Sequence, residues 1–261
     1  MTPDLVLTAL RDRAPLVHCI TNYVAMNIAA NVLLAAGGSP AMVHAETEVA
    51  DFTGISDALT VNIGTLSPSW VSSMHKAAEA ATAAGKPWVL DPVAHFATSY
   101  RRNVAAELVA RKPTIIRGNA SEILALSGAA TAGKGADSGD AVSDAEAGAT
   151  TLARSQGCVV AVTGEVDFVT DGTRAVRVSG GSALMPRVTA MGCALTGLMG
   201  GCAAVAPPLE AAVAALALFA EAGEQAASVA QGPGTFQPAF LDALWRTTPE
   251  ALANGARITW L

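Results

Sequence analysis

The sequence predicts an α/β protein with a mainly parallel central sheet and helices on both of its faces. Three observations carry that prediction. Short, almost continuously apolar runs alternate with longer helical patterns through most of the 261 residues. Strands buried on both faces read this way, and parallel neighbours need a crossover, usually a helix, between them. The apolar half of the composition is mostly Ala, Val and Leu with few aromatics, which suits helices packed closely on a sheet. Only 15% of residues are charged against 51% hydrophobic, enough apolar material for a sizeable core and too much for disorder.

The elements follow in order. Strand candidates are LVHCIT (16–21), PAMV (40–43), LTVNIG (59–64), WVLDP (88–92), TIIRGN (114–119) and VVAVTG (159–164). A helix over 22–37 opens on Thr21-Asn22, good capping residues, and closes on Gly37, a good stop. Helical patterns also cover 68–85 and 141–157. In the latter, Asp144 and Glu146 near the start and Arg154 near the end complement the helix dipole. After Thr163 the pattern changes. DFVTDG and AVRVSGG (167–181) read as a hairpin, and the remainder as helices over 192–206, 209–230 and 236–246. The stretch TAGKGADSGD (131–140) reads as an exposed loop. With no linker, composition break or repeat, a single domain over 1–261 is expected.

The formal net charge is −6 and no Lys/Arg cluster exceeds two adjacent residues, which argues against a nucleic-acid partner. The N-terminus has no basic stretch leading into a long apolar segment, so no secretory signal is expected. The most apolar run, 211–220, falls far short of the roughly 20 residues a membrane span needs. Cys19, Cys158, Cys193 and Cys202 stand alone, without CxxC or zinc spacing, which reads as a reduced, cytoplasmic protein.

Ligands of open parallel α/β sheets bind beyond the carboxyl ends of the strands, and polar residues collect there in this chain. Asp91 ends the fourth strand candidate, Arg117-Gly118-Asn119 ends the fifth and leads to Glu122, and Thr163 ends the sixth. Asp91 and Glu122 suit Mg²⁺ held through water, and the planar fork of Arg117 suits a phosphate. A purely structural alternative gives Asp91 to helix capping and Glu122 to a surface lysine. Ala190-Met191-Gly192-Cys193 opens a helix whose free N–H groups and positive dipole end suit an anion. A thiol there has a depressed pKa and can act as a base, although a free cysteine is more often a small buried hydrophobe, the role expected for Cys202. The glycines at 197, 200 and 201 let this helix approach a neighbour closely. GAATAGKG (128–135) nearly matches a phosphate-binding P-loop, but Gly135 replaces the hydroxyl residue that should bind Mg²⁺.

Taken in order, the segments HCITNYVAMNIAANVLLAAGGSPAMV, EVADF, LTVNIGTL, VLDPV, IRGNASEI, AVTGEVDFVTDG and GPGTFQ resemble the hydroxyethylthiazole kinase family, of the ribokinase-like superfamily. The resemblance covers about residues 15–245. It implies a ribokinase-like three-layer sandwich and a homotrimer with active sites between subunits. It also implies ATP- and Mg²⁺-dependent phosphorylation of the hydroxyl of 4-methyl-5-(2-hydroxyethyl)thiazole, in thiamine biosynthesis or salvage. By the same resemblance Asn22 and Met42 line the thiazole pocket, with Gly64 and Ala190 beside it. Arg117 and Thr163 contact ATP, Asp91 and Glu122 organise Mg²⁺, and Cys193 orients or deprotonates the acceptor hydroxyl.

Two segments depart from the family pattern: Ala190-Met191 stands where it has glycine first, and Ala94-His95-Phe96 stands where it has Gly-Ala-Gly. Alanine in a left-handed backbone costs energy or shifts the loop. These departures keep open a kinase of the same fold acting on another heterocyclic alcohol such as a pyrimidine or pyridoxine-like one. Two further readings are a non-catalytic ligand-binding homologue, against which Asp91, Glu122 and Cys193 argue, and a lyase of the superfamily, against which ITNYVAMN argues.

Overall fold

The computed structural model of the chain describes residues 1–128, 141–253 and 257–261. The loop expected at 131–140, and the near-P-loop beyond Gly128, lie outside the described residues. The strands are β1 (Leu16–Ile20), β2 (Ser39–Ala41), β3 (Ala58–Asn62), β4 (Trp88–Asp91), β5 (Ile115–Asn119), β6 (Val159–Thr163), β7 (Val166–Thr170), β8 (Ala175–Ser179) and β9 (Ile258–Trp260). They form one sheet in the order β2-β1-β3-β4-β5-β6-β7-β8-β9. The six strands β1 to β6 pair in parallel, as their apolar runs predict. The antiparallel strands β7, β8 and β9 extend one edge. The hairpin expected at 167–181 is β7–β8, but β9 was not anticipated: its three residues are too few for a periodicity to show.

The helices are α1 (Pro3–Arg13), α2 (Met26–Ala36), α3 (Val49–Ile55), α4 (Pro68–Ala83), α5 (Ser99–Val109), α6 (Ala120–Leu126), α7 (Val142–Gln156), α8 (Met191–Ala203), α9 (Pro208–Val229), α10 (Pro233–Arg246) and α11 (Pro249–Ala253). Alternate strand residues feed two cores. Val89, Ile115 and Ala161 join the apolar faces of α1, α2, α8, α9 and α10. Their neighbours Trp88, Leu90, Ile116 and Val160 join those of α4, α5, α6 and α7 on the other side. This period-2 division of continuous apolar runs is what makes three layers.

Two helices set up the site. Helix α8 lies tight against the sheet because Gly200 has no Cβ to meet Thr60 and Val17, and tight against α1 and α2 because Gly201 has none to meet Leu10 and Leu33. Helix α2 stops at Gly37, left-handed at φ 111°, as expected, but it starts four residues later than Asn22. The Asn22 Oδ1 instead accepts the N–H groups of Val24 and Ala25, both at 3.0 Å, so it closes a turn ahead of the helix. That side-chain turn competes with helix at the same residues.

Candidate active site

The period of the strands explains how the site is assembled. On the face towards α8, Cys19, Thr60, Val89, Ile115 and Ala161 are core positions of β1, β3, β4, β5 and β6. Two residues further along, at the carboxyl edge, the same face carries Thr21, Asn62, Asp91, Arg117 and Thr163. Five neighbouring strands therefore present one row of polar side chains beneath the start of α8. Asn62 and Asp91 are register partners.

At the β1–β3 end of the row, Asn22 Nδ2 donates to Asn62 Oδ1 at 2.8 Å and to Cys193 Sγ at 3.3 Å. The Gly64 N–H donates to the same Asn62 oxygen at 2.9 Å. A Cβ on Gly64 would stand 2.6 Å from Asn22 Nδ2, so glycine is what lets these two residues meet. Met42 follows β2 at the outer end, packed against Val17, Cys19 and Leu33. Ala190 is left-handed at φ 60° and ψ 17°, and it leads directly into α8. The N–H groups at 191–193 precede the first intrahelical bond, from Ala194 to Ala190, and so face the row without a helical partner.

At the centre, Asp91 is fully buried. Its Oδ2 accepts from Asn62 at 2.7 Å, from Thr196 at 2.8 Å and from Arg117 at 3.5 Å. Its Oδ1 is buried with no hydrogen-bond partner among the described residues. Burial pushes the Asp91 carboxyl up against the pull of Arg117, Thr196 and Asn62. Glu122, 3% exposed, accepts the Asn119 N–H at 2.8 Å and the Ala94 N–H at 2.9 Å. It forms a capping box with Asn119 at the start of α6, and burial with the charge of Asp91 pushes its carboxyl up to about 7. Asp91 caps no helix and Glu122 meets no lysine among the described residues. Among the described residues no three His, Cys, Asp or Glu side chains form a metal cage. The open Asp91 Oδ1 beside Glu122 nevertheless fits a hard cation that keeps much of its water and takes one or two carboxylates, as Mg²⁺ does.

At the β5–β6 end, Arg117 Nη2 donates to Thr163 Oγ1 at 2.6 Å. Gly192 lies directly over that guanidinium, since a Cβ there would be 2.6 Å from Nη2 and 2.8 Å from Nη1. Asp167 accepts the Gly164 N–H at 2.9 Å, fixing the turn after Thr163, and burial pushes it up to about 7.

The expected depression of the Cys193 thiol is not found. Burial, reinforced by the charge of Asp91, pushes it up to about 11. The desolvation of a thiolate beside a buried carboxylate outweighs what the helix N-terminus offers. Cys202 is buried with its thiol pushed up to about 12 by desolvation alone, the structural role expected.

Asn62, Thr196 and Asp167 were not singled out from the sequence. Asn62 carried the signal that flagged Asp91, a polar residue closing an apolar strand. Thr196 lies one helical turn after Cys193, and only the packing of α8 on β4 reveals it. Both departures from glycine, Ala94 at φ 47° and Ala190 at φ 60°, are left-handed. His95 is buried, its Nδ1 3.2 Å from the Pro92 carbonyl and its ring edge-on to Phe96.

The model of the hydroxyethylthiazole kinase family matches residues 7–250. The hydroxyethylthiazole kinase of Cereibacter sphaeroides (strain KD131) is 64% identical over 252 residues, 97% of this chain and 96% of that protein. The structure of a hydroxyethylthiazole kinase protein from Pyrococcus horikoshii OT3 superposes with a TM-score of 0.92 at 39% identity, over 99% of this chain and 98% of that one. The ADP complex of Bacillus subtilis pyridoxal kinase shares the fold alone, with a TM-score of 0.62 at 18% identity over 80% of this chain and 91% of that one.

Proposed function

The chain belongs to the hydroxyethylthiazole kinase family, and from that premise we propose how its site divides the work. It is a ribokinase-like kinase that phosphorylates the hydroxyl of hydroxyethylthiazole in thiamine biosynthesis, with ATP as donor. The whole chain acts as one kinase domain. The observation that carries the assignment of roles is the continuous contact Cys193–Asn22–Asn62–Asp91–Arg117–Thr163 beneath the start of α8. One end has the character of an acceptor site, the centre of a cation site and the other end of a phosphate site.

Arg117 and Thr163 hold phosphate oxygens of ATP, and the N–H groups at 191–193 face the charge that develops on the moving phosphoryl group. Asp91, with Glu122, would hold Mg²⁺, which would supply neutralisation of phosphate charge. Asn22, Met42, Gly64 and Ala190 shape the thiazole pocket. Cys193 keeps its proton at neutral pH, so it orients the acceptor hydroxyl more than it removes a proton. Phosphoryl transfer tolerates this, because its loose transition state leans on positioning and electrostatics. The departures at Ala94 and Ala190 are accommodated by alanine turns that keep the left-handed path glycine would take. A homotrimer with active sites between subunits, in the cytoplasm, completes the reading. The exposed Tyr23 and Val24 next to Asn22 at the acceptor end support it, as apolar surface that a second copy would cover.

The test is ADP release with Mg-ATP and 4-methyl-5-(2-hydroxyethyl)thiazole, compared between the wild type and Cys193→Asp. Thiazole-dependent release, retained or increased in the variant, is expected of an orienting acceptor. A folded Cys193→Asp protein that binds both substrates and turns over neither overturns the role given to Cys193.

A further inference from the structure

We infer that Arg101 is a positioning residue for this site, a clasp that holds the acceptor loop and the cation loop in one register. This rests on the reading of the site as a phosphotransferase centre.

Arg101 lies in the first turn of α5, where a cation opposes the helix dipole and helices favour acidic residues. Its guanidinium is partly buried, and burial lowers its pKa. A local preference overridden twice, by position and by burial, calls for a tertiary reason. The reason is four backbone carbonyls. Nε donates to Ala94 O at 3.1 Å, Nη1 to Gly64 O at 3.3 Å, and Nη2 to Ile63 O at 2.7 Å and to Val93 O. Two of these carbonyls follow Asn62 at the end of β3, and two follow Asp91 at the end of β4. The Arg101 backbone is itself anchored, its N–H donating to the Thr98 cap at 3.2 Å.

Each clasped loop delivers a group to the site. The Gly64 N–H holds Asn62 Oδ1, which holds Asn22, which reaches Cys193. The Ala94 N–H holds Glu122 Oε1, and Ala94 keeps its left-handed backbone between that bond and the Arg101 bond. Arg101 meets the pocket residue Gly64 only through its carbonyl and feels the charge of Glu122, but its hydrogen bonds include none to Cys193, Asp91, Glu122, Arg117 or Thr163. It acts through Gly64 on the acceptor side and through Ala94 on the cation side. Lysine cannot replace it, because an ammonium is a point with three donors and cannot span four carbonyls on two loops.

The experiment compares wild type, Arg101→Lys and Arg101→Ala by kcat, by KM for ATP and for the thiazole, by half-saturating Mg²⁺, and by the alkylation rate of Cys193 without ligands. Cys193 is half-buried while the other three cysteines are buried, so mild alkylation reads the acceptor side, with Cys193→Ser as control. We expect Arg101→Lys to lower kcat by roughly 10-fold or more and to raise half-saturating Mg²⁺, with KM for ATP changing least and Cys193 alkylation several-fold faster. Methylguanidinium should restore part of the kcat of Arg101→Ala. A purely structural role instead lowers the melting temperature and leaves kcat, Mg²⁺ requirement and alkylation rate of the folded fraction within twofold, which overturns the inference. Arg101→Lys decides it alone if Arg101→Ala does not fold. A wild type with no thiazole-dependent turnover refutes the phosphotransferase reading itself, whereas an active wild type with an indifferent Arg101→Lys refutes only the clasp.

Discussion

Replacing Gly192 with alanine separates the chemistry of the site from its stability. Gly192 has an ordinary backbone inside the first turn of α8, so alanine is conformationally welcome and favours the helix by about 1 kcal/mol. The added Cβ meets Arg117 Nη2 at 2.6 Å, Nη1 at 2.8 Å and Cζ at 3.1 Å. That is roughly 1 Å short of ordinary contact, and the guanidinium is the part free to give way. Its 2.6 Å bond to Thr163 then stretches beyond hydrogen-bond range, and its 3.5 Å contact with Asp91 has no slack to absorb the shift. A charge-assisted bond of this kind contributes about 1.5–3 kcal/mol. If Arg117 holds ATP phosphates in that pose, kcat/KM for ATP falls roughly 10- to 150-fold. The assay is coupled ADP release over a range of ATP, alongside a thermal melt. The melt should fall by only a few degrees from wild type, because the helical gain offsets part of the lost bond. In an Arg117→Ala background the same substitution should add almost nothing, since its effect passes through the guanidinium. A folded Gly192→Ala enzyme within twofold of wild type would falsify the placement of Arg117 on the phosphates.

Further outcomes follow from the titrating groups and the backbone. The carboxyls of Glu122 and Asp167 are raised to about 7, from ordinary values of 4.5 and 3.8. At these two groups the folded protein therefore keeps protons that the unfolded chain has already lost, and the stability they contribute falls as pH rises from about 4 through 7. Buried Glu122 contributes at most about 3 kcal/mol of that loss. Relative to Glu122→Gln, the melting temperature of the ligand-free wild type should decline between pH 5 and 7.5 and recover with Mg²⁺, which selects the ionised carboxylates. The comparison cancels the opposite slope of His18, His75 and His95, whose pKa values burial lowers, and the absence of a relative decline refutes the assignment. At Ala190, left-handed at φ 60°, Ala190→Val should lower the melting temperature by several degrees, since a branched side chain at that backbone adds about 1–2 kcal/mol of strain. Ala190→Gly should leave it unchanged or raise it, and equal losses in both variants would show that the turn does not require that conformation.

Much of the site was legible because its residues end strands. Asp91, Arg117 and Thr163 break apolar runs at their carboxyl ends, and in a parallel α/β sheet those ends point to one edge. Asn62 is the instructive omission, since it closes LTVN as Asp91 closes WVLD, yet asparagine has no charge to draw notice. Its importance comes from being the acceptor shared by Asn22 and Gly64 and a donor to Asp91. The Cys193 thiol misled for a different reason. A helix N-terminus is visible in sequence, whereas burial beside Asp91, which reverses the sign of the shift, depends on residues 102 positions apart being packed together.

The sequence alone determined the layered architecture, because runs apolar on both faces and separated by helices have few stable arrangements. It determined the family too, through motifs that cover nearly the whole chain. Tertiary structure decided what local sequence cannot encode. It decided that Arg101 spends its fork on four carbonyls against its own helix dipole. It decided that Asp91 keeps one oxygen saturated and the other open. It decided that glycines 64 and 192 matter for the side chains they admit and not for their backbone freedom. Each of these depends on which atoms from distant segments share a low-dielectric space, and that is settled only when the sheet and α8 close on one another.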